Sequence, residues 1–253
     1  MNRKDGNGTI LVTKVQGKRR AGSDLLTRDH VVETALSLID ERGLDGFSVR
    51  ELARALGVFP TALYWHVKGG RNEMLAAVAA RALEHVAPEP GAGDDWKDWL
   101  RQLFHRYRKA LSRHPNVAPL LGAQLVSNAG VNPELVERIL AALHGAGFHG
   151  AALVDAYNAT LAAMLGYVTL EFAPSPSDEP DRWAKEFQQA LEALPEGRYP
   201  HLQQNFQLLA NRAFVLRWES GDTNPLVGGF EMFVEAFVLG LERKLQLAAG
   251  ERS

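Results

Sequence analysis

The sequence contains no cysteine, which excludes disulfides, thiolate nucleophiles and cysteine-based zinc sites. No run of about 18 or more residues is both apolar throughout and free of charge, so no transmembrane helix is predicted. Near the N-terminus the longest apolar run covers only positions 10–12, which is too short for a signal peptide. We therefore expect a cytoplasmic protein with no membrane partner.

The motifs of common enzyme classes are also missing. The sequence has no HExxH pair, no P-loop, no GxGxxG after a strand and no GxSxG elbow. Its 8 histidines are scattered, and a glycine-rich break separates His144 from His149. We therefore predict no catalytic residue, no metal site and no cofactor, and we expect that the chain is not an enzyme.

Charge is unevenly distributed along the 253 residues. Residues 1–72 carry 12 Lys and Arg against 8 Asp and Glu, whereas the rest of the chain carries 16 against 22. A mildly basic head on an acidic body is typical of a DNA-binding domain joined to a partner domain, although chance variation gives the same pattern. The 46% of hydrophobic residues can fill a core, and the length allows one small and one larger domain.

Two short helices near the N-terminus have the spacing of a helix-turn-helix. Ser48 and Glu51 form a capping box at the start of the first, which ends at Gly57. A tight connection follows, and Pro60 or Thr61 opens the second helix. The second helix of such a pair is placed to enter a DNA major groove.

The whole chain is predicted to be all-α, because no sustained period-two run indicates a strand. Residues 1–26 form a basic arm that would lie on a phosphate backbone or in a minor groove, or have no role. Residues 27–86 form a three-helix helix-turn-helix domain with its connecting helix, whose first helix runs from a Thr27 cap to Gly43. After a boundary rich in proline and glycine, residues 95–248 form a larger helical ligand-binding and dimerisation domain. Beyond the first three helices, others are predicted at 71–86, 96–113, 115–127, 133–144, 151–172, 182–194, 200–212 and 225–247.

The last predicted helix carries a wide apolar stripe with three phenylalanines. Such a stripe can pack inside its own subunit, or it can join helix 151–172 and their symmetry mates in a four-helix dimer interface. Two helix-turn-helix heads read a palindrome when they lie about 34–36 Å apart. We therefore predict a homodimer on a palindromic double-stranded DNA operator, with dimer contacts from Phe230, Phe233, Val234, Phe237 and Leu241.

The recognition segment, residues 59–68, is predicted to present polar and aromatic groups to DNA. Leu63 and Val67 lie four positions apart and can face inward together. Tyrosine, histidine and lysine side chains suit phosphates, and small residues let a helix approach base edges and thymine methyls. The predicted contacts on this helix are Thr61, Ala62, Tyr64, Trp65, His66 and Lys68.

Two alternatives remain for these positions. Tyr64 and Trp65 can instead pack between helices, and we expect this for at least one of them. Arg50, at the start of the preceding helix, can bind a guanine with two nitrogens or can be a solvated surface charge.

The stretch from Thr27 to Leu75 resembles the DNA-binding domain of the tetracycline-repressor (TetR) family. The matching segments read ERGL at 41–44, FSVRELA at 47–53, LGV at 56–58 and LYWHVK at 63–68, and the LYWH form looks closest to the tetracycline-repressor branch. Weaker matches continue to residue 247. The resemblance implies a homodimeric repressor that a ligand releases from DNA, with Arg50 contacting bases and Ser48 contacting phosphate. Phe59 to Thr61 and Gly70 depart from the branch at contact positions, so we expect a different operator.

The resemblance also implies an effector pocket inside the second domain. Leu120 and Leu121 occupy the positions where that branch has a metal-binding histidine, so a metal–tetracycline effector is not expected. Tyr107 matches an aromatic position that lines the ligand. Because they offer polar or adaptable groups on apolar helices, or line the expected pocket, the remaining candidates are His85, Phe104, Leu121, Gln124, Asn128, Tyr157, Asn158, Met164 and Tyr167. Packing or surface exposure is the alternative for each of them.

A rival interpretation keeps the DNA-binding head but gives the second domain no small-molecule effector. That domain would then serve only dimerisation or docking of another protein. A response of operator binding to aromatic and polyketide-like compounds would separate the two interpretations.

Overall fold

The computed structural model describes residues 26–89, 95–121, 132–173, 179–195 and 197–250. The predicted N-terminal arm, except for its last residue, lies outside these ranges. Every regular element within them is a helix, which confirms the predicted all-α fold. The described α-helices are α1 (Arg28–Arg42), α2 (Val49–Leu56), α3 (Pro60–His66), α4 (Arg71–Ala82), α5 (Trp96–Arg113), α6 (Pro133–Ala146), α7 (Ala151–Glu171), α8 (Pro180–Glu192), α9 (Pro200–Leu209) and α10 (Val227–Gly250).

Local signals fix the first helix at both ends. The Thr27 side chain accepts a hydrogen bond from the amide of His30 at 3.1 Å, which satisfies one free donor of the first turn. At the other end Gly43 has a positive φ of 71°, and its amide donates to the carbonyl of Ile39. The face of α1 that carries Ala35 and Ile39 is fully buried against α2 and α4. We call α1 to α4 the head.

The turn between α2 and α3 depends on Gly57. This residue is left-handed, with φ 66° and ψ 28°, a conformation that glycine adopts without a steric cost. Its amide and that of Val58 donate back to the last turn of α2. Ser48 caps the other end of α2 by accepting from the amide of Glu51. In a capping box the Glu51 carboxylate would also accept from the amide of Ser48. Here it accepts from Arg42 and Arg54 instead.

We call the rest of the described chain, α5 to α10, the body. It is organised around α5, which packs against α6, α7 and α10. Its bounds agree with the prediction for residues 96–113, and Asp95 caps its first turn. Leu100, Leu103 and Leu111 are completely buried along its inner face. Helix α5 is therefore the central wall of the second domain.

A buried ion pair fastens the end of α7 to α5. Glu171 is 1% exposed, and its two oxygens accept from Arg108 at 2.8 and 2.6 Å. The same carboxylate accepts from the amide of Leu226 at 2.7 Å, just before α10. A Cβ at Gly221 would lie 2.6 Å from Glu171 Cγ, so only glycine lets this segment lie so close. One carboxylate thus joins α5, α7 and the entry to α10.

Two predicted helices differ from the structure. Helix α4 ends at Ala82 rather than at residue 86, because the chain turns at Leu83 and folds Val86 into the core, where it is 2% exposed. The helix predicted at 115–127 begins as the 3-10 turn Pro115–Val117, followed by α-helix from 118 to 121, where the description stops. The other predicted helices are present, with ends that move by a few residues.

The 3-10 turn joins the body to the head. The Asn116 side-chain amide donates to the carbonyls of Ile39 at 3.0 Å and Asp40 at 3.2 Å, in the last turn of α1. His114 Nδ1 lies 2.8 Å from a carboxylate oxygen of Asp40. Half-buried polar contacts therefore join the head to the body, next to the fully buried Val117.

Helix α7 is long and apolar enough to cross a membrane by length and composition alone, although it carries Asp155 and Asn158. Only 22% of its most apolar window is buried in the subunit, because a large part of its surface faces outward. Val154 and Leu170 on this surface are 56% and 55% exposed. Exposed apolar side chains on one surface of a long helix are typical of a contact with a partner.

Candidate nucleic-acid interface and effector pocket

Helix α3 divides its side chains between the core of the head and the solvent. Leu63 and Val67 are buried, as predicted. Trp65 is 83% exposed and Tyr64 is 47% exposed, so the expectation that at least one of them packs between helices is wrong. The helix is only seven residues long, and its inner face is filled by Leu63 alone, which leaves both rings outside.

The other predicted contacts lie around these two rings. Thr61 and Lys68 are exposed, and Ala62 and His66 are half-buried at the same helix. Arg50 is exposed in the first turn of α2, and no described carboxylate lies within ion-pair distance of it. Ser48 already accepts the capping bond, but its hydroxyl hydrogen is still available to a phosphate.

The predicted list of DNA contacts left out Phe59, although the resemblance put it at a contact position. It precedes α3, makes no side-chain cap and is 82% exposed. An apolar residue at a position that usually holds serine, threonine, aspartate or asparagine is the signal that could have indicated a role outside capping. Phe59, Tyr64 and Trp65 are thus three exposed aromatic side chains at or next to α3.

The departure at Gly70 has a backbone cause. Gly70 has φ 89° and ψ −153°, a region that favours glycine strongly. A lysine, which the resemblance to the tetracycline-repressor branch leads us to expect at this position, would therefore be strained. The next residue, Arg71, is exposed in the first turn of α4. Its positive charge lies next to position 70, where a lysine would otherwise supply one. The sequence prediction did not include Arg71.

Two of the predicted pocket residues lie at the centre of the body. Phe104 and Tyr107 are completely buried on α5. The Phe104 ring lies 5.8 Å from that of Phe233 and 5.5 Å from that of Phe237, both on α10. The Tyr107 hydroxyl is buried and has no hydrogen-bond partner, and burial raises the pKa of this phenol. A buried hydroxyl without a partner is costly, and it suits a ligand that supplies one.

Tyr167 connects to this aromatic group from α7. Its ring stacks on Phe233 at 5.3 Å, and its hydroxyl donates to the carbonyl of Leu226 at 3.0 Å. Met164 and Leu121 are buried in the same core, and Tyr157 is half-buried, with its pKa raised by burial. These residues pack together in the interior of the body.

Two candidates lie elsewhere, and two fall outside the described residues. Asn158 is exposed on the outer surface of α7, so it does not face the interior. His85 is exposed after the end of α4 and lines a separate cleft between head and body. Gln124 and Asn128 lie in the range that the structure does not describe.

The apolar stripe of α10 is turned inward, which corrects the predicted dimer contacts. Phe230, Val234 and Leu241 are 0%, 1% and 7% exposed within the single subunit, because this face packs against α5 and α7. Phe233 and Phe237 are half-buried against Phe104. The outward face of the helix carries different apolar residues, namely Met232, Leu239 and Leu247, which are 76%, 53% and 46% exposed.

The described residues contain no group of three or more His, Asp or Glu side chains placed to hold a metal ion. Leu120 and Leu121 are both buried, at 3% and 5% exposure. The first turns of the helix that they occupy therefore contribute apolar packing to the body.

Two family models match the chain. The model described as bacterial regulatory proteins, tetR family, matches residues 31–78, which include most of the head. The model described as tetracyclin repressor-like, C-terminal domain, matches residues 87–218, just over half of the chain. Together they cover most of the head, and the body as far as residue 218.

Individual proteins are also similar to this chain. The class C tetracycline repressor of Escherichia coli is 32% identical over 181 residues, which cover 67% of this chain and 77% of that protein. The class D tetracycline repressor of Escherichia coli is 41% identical over 90 residues, 35% of this chain and 41% of that protein. The latter match therefore spans less than half of that relative. Among solved structures, BioQ with its double-stranded DNA operator has a TM-score of 0.51 at 29% identity, covering 66% of this chain and 94% of that one.

The two sides of α3 should respond differently to truncation. Trp65→Ala removes an exposed ring and is expected to change the free energy of unfolding by no more than about 0.5 kcal/mol. Leu63→Ala empties a buried position and is expected to lower it by about 2–5 kcal/mol. Urea unfolding followed by circular dichroism measures both values. A large loss for Trp65→Ala would mean that the ring is packed and not free for a partner.

Proposed function

The chain belongs to the TetR family of bacterial regulatory proteins, and on that premise we propose that it is a DNA-binding transcriptional repressor. It acts as a homodimer and leaves its operator when a small molecule binds the body. The observation that carries the proposal is the exposed face of α3. The side chains of Tyr64 and Trp65 are exposed to solvent there, although the core of the head beneath them is well packed. Regulators of this family are not enzymes, which confirms the prediction on that point.

The exposed face of the head suits a DNA duplex. Its aromatic rings can pack on sugars and backbone, and Lys68 and Arg71 can neutralise phosphates. Arg50 can donate two hydrogen bonds to guanine in the major groove. The LYWHV segment, residues 63–67, supports a relationship between the head and the tetracycline-repressor branch. The aromatic Phe59 and the obligatory glycine at position 70 favour a different operator from that branch.

Selection of bound DNA from a random pool tests the head directly. The native protein is expected to select a palindrome, because a dimer presents two copies of α3. The double variant Arg50→Ala, Tyr64→Ala removes one base contact and one backbone contact, each worth about 1–3 kcal/mol, and is expected to bind about 100-fold more weakly and to lose the consensus.

The matched control is Arg198→Ala, which removes an exposed arginine from the body. This variant should select the same palindrome as the native protein. If the double variant at positions 50 and 64 also selected it with unchanged affinity, the assignment of α2 and α3 as the DNA reader would be wrong.

Dimerisation is supported by the outward surfaces of α7 and α10. Both helices carry exposed apolar residues, including Val154, Leu170, Met232 and Leu239, which pairing with a second copy would cover. Small residues such as Ala162 and Gly166 are exposed on the same surface of α7 and permit close helix packing. Pairing of these helices also accounts for the apolar character of α7 without a membrane, in keeping with a cytoplasmic protein.

A pair of charges on this surface should separate the dimer. Met232→Glu with Leu239→Glu places carboxylates in the proposed interface, where they would be desolvated without partners. The variant is expected to elute as a monomer with native helix content, as measured by light scattering and circular dichroism. Phe59→Glu, at an equally exposed apolar position of the head, is the control and should stay dimeric. A double variant that remains dimeric would exclude α10 from the interface.

Effector binding is supported by the aromatic interior of the body. Phe104 and Tyr107 on α5 and Tyr167 on α7 contribute aromatic area there, and the buried Tyr107 hydroxyl has no hydrogen-bond partner among the described residues. A ligand that accepts a hydrogen bond from this hydroxyl would gain both orientation and affinity. The rival interpretation, dimerisation or docking alone, offers no use for this group.

Tyr107→Phe separates the two interpretations. Removing a hydroxyl without a partner is expected to leave thermal stability unchanged or slightly higher. If a compound from an aromatic and polyketide-like panel releases the native protein from its selected DNA, the variant should need about tenfold more of it. No release by any compound would favour the interpretation without an effector, and an unchanged response of the variant would exclude Tyr107 as a ligand contact.

A further inference from the structure

A basic cleft lies between the head and the body, outside the aromatic interior. It has a volume of about 310 Å³. One wall comes from the end of α4 and the turn after it, and the other from the last two turns of α5. Its lining residues are Arg81, Ala82, Glu84, His85, Val86, Arg106, Lys109, Ala110, Arg113 and His114.

The positive charges of this cleft are only partly neutralised. Arg81 is paired with Asp29 and Glu84, and His114 contacts Asp40. Glu84 is the one carboxylate among the lining residues, and Arg81 already uses it. The cleft therefore has no free anion of its own among its described lining residues.

Three cations on α5 remain without a carboxylate partner in the described part of the chain. Arg106, Lys109 and Arg113 are all exposed, and among the described residues Arg106 makes a polar contact only to the carbonyl of Ala87, at 3.5 Å. Their spacing of three and four residues places them on one face of the helix, where like charges repel each other. An arrangement that costs stability and concentrates positive charge in a concave site suits an anionic ligand.

We infer that this cleft binds a small molecule that carries phosphate or carboxylate groups with at least two negative charges. The guanidinium groups of Arg106 and Arg113 can each grip such a group with two parallel hydrogen bonds, and Lys109 adds a point charge. His85 is placed to contribute a further donor. The volume is at the lower end of the range for small-molecule sites.

The position of the cleft favours a small ligand over a DNA backbone. Helix α3 adjoins the beginning of α4, whereas the cleft lies at its end, about 18 Å further along the 12-residue helix. A concave site between two helices also encloses a small anion better than it follows a duplex. Because its two walls belong to head and body, an occupied cleft would hold them in one arrangement.

Calorimetry without DNA tests this inference independently of the proposed repressor function. The full chain is titrated with sodium pyrophosphate, with citrate, and with sodium chloride at matched ionic strength. We expect saturable binding of one anion per chain for pyrophosphate or citrate and none for chloride, and the stronger of the two identifies the preferred group. Hydrogen exchange should show protection by that probe within residues 81–86 and 106–114.

Charge reversal locates the site. Lys109→Glu with Arg113→Glu is expected to weaken binding of the probe at least about tenfold. Lys185→Glu with Arg212→Glu makes the same change of net charge on exposed residues outside the cleft and should leave the affinity unchanged. Equal losses in both variants, or no saturable binding of either probe, would overturn the inference. So would a cleft variant that binds the probe normally but loses affinity for random-sequence duplex, because the cleft would then hold a DNA backbone.

Discussion

The last turn of α1 is held by the body, and the position of the head depends on this contact. The carbonyls of Ile39 and Asp40 lie in the last turn of a helix, where few amides remain to pair with them, and Ile39 already accepts from the amide of Gly43. Asn116 from the 3-10 turn donates to both, and His114 reaches the Asp40 carboxylate. Since α1 forms the centre of the head, fixing its end fixes the orientation of α2 and α3 as well. Polar atoms of the body therefore contact the helix on which α2 and α3 pack, beside a continuous apolar core that also joins head and body.

The rest of the body is arranged so that changes in its interior can reach this contact. Helix α5 carries the buried Phe104 and Tyr107 in its middle and leads directly into His114 and Asn116 at its end. At the other side, the Glu171 carboxylate ties α5 to α7 and to the start of α10. A ligand that moved α5 would therefore act on the two helices with outward apolar surfaces and on the end of α1. Half-buried polar contacts are suited to such a switch, because they can be exchanged at a smaller cost than a packed core.

Much of this structure could be predicted from the sequence, because many of its determinants are local. The Thr27 and Ser48 caps, the glycines at positions 43 and 57 and the proline that opens α3 fixed both ends of α1 and α2 and the start of α3 to within one residue. Periodicity also identified α5 and α7 correctly. It could not tell which of the two apolar surfaces of α10 faces its own subunit, because Phe230 and Met232 stand on opposite sides of a helix that is apolar on both. That choice depends on where α5 packs, which no local pattern encodes. The cleft between head and body could not be predicted from sequence either, because its two walls come from separate helices and meet only through tertiary packing.

The most direct test of the account is the distance between head and body when the Asn116 contact is removed. Because the chain has no cysteine, Asp45→Cys in the head and Gln102→Cys in the body give two unique sites for spin labels. One labelled copy diluted into unlabelled protein reports the distance within a single subunit. The account predicts one narrow distance distribution in the native background and a clearly broader or shifted one when Asn116→Ala is added, with the helix content unchanged. An identical narrow distribution in both proteins would contradict it, because the head would then be positioned by something other than this contact.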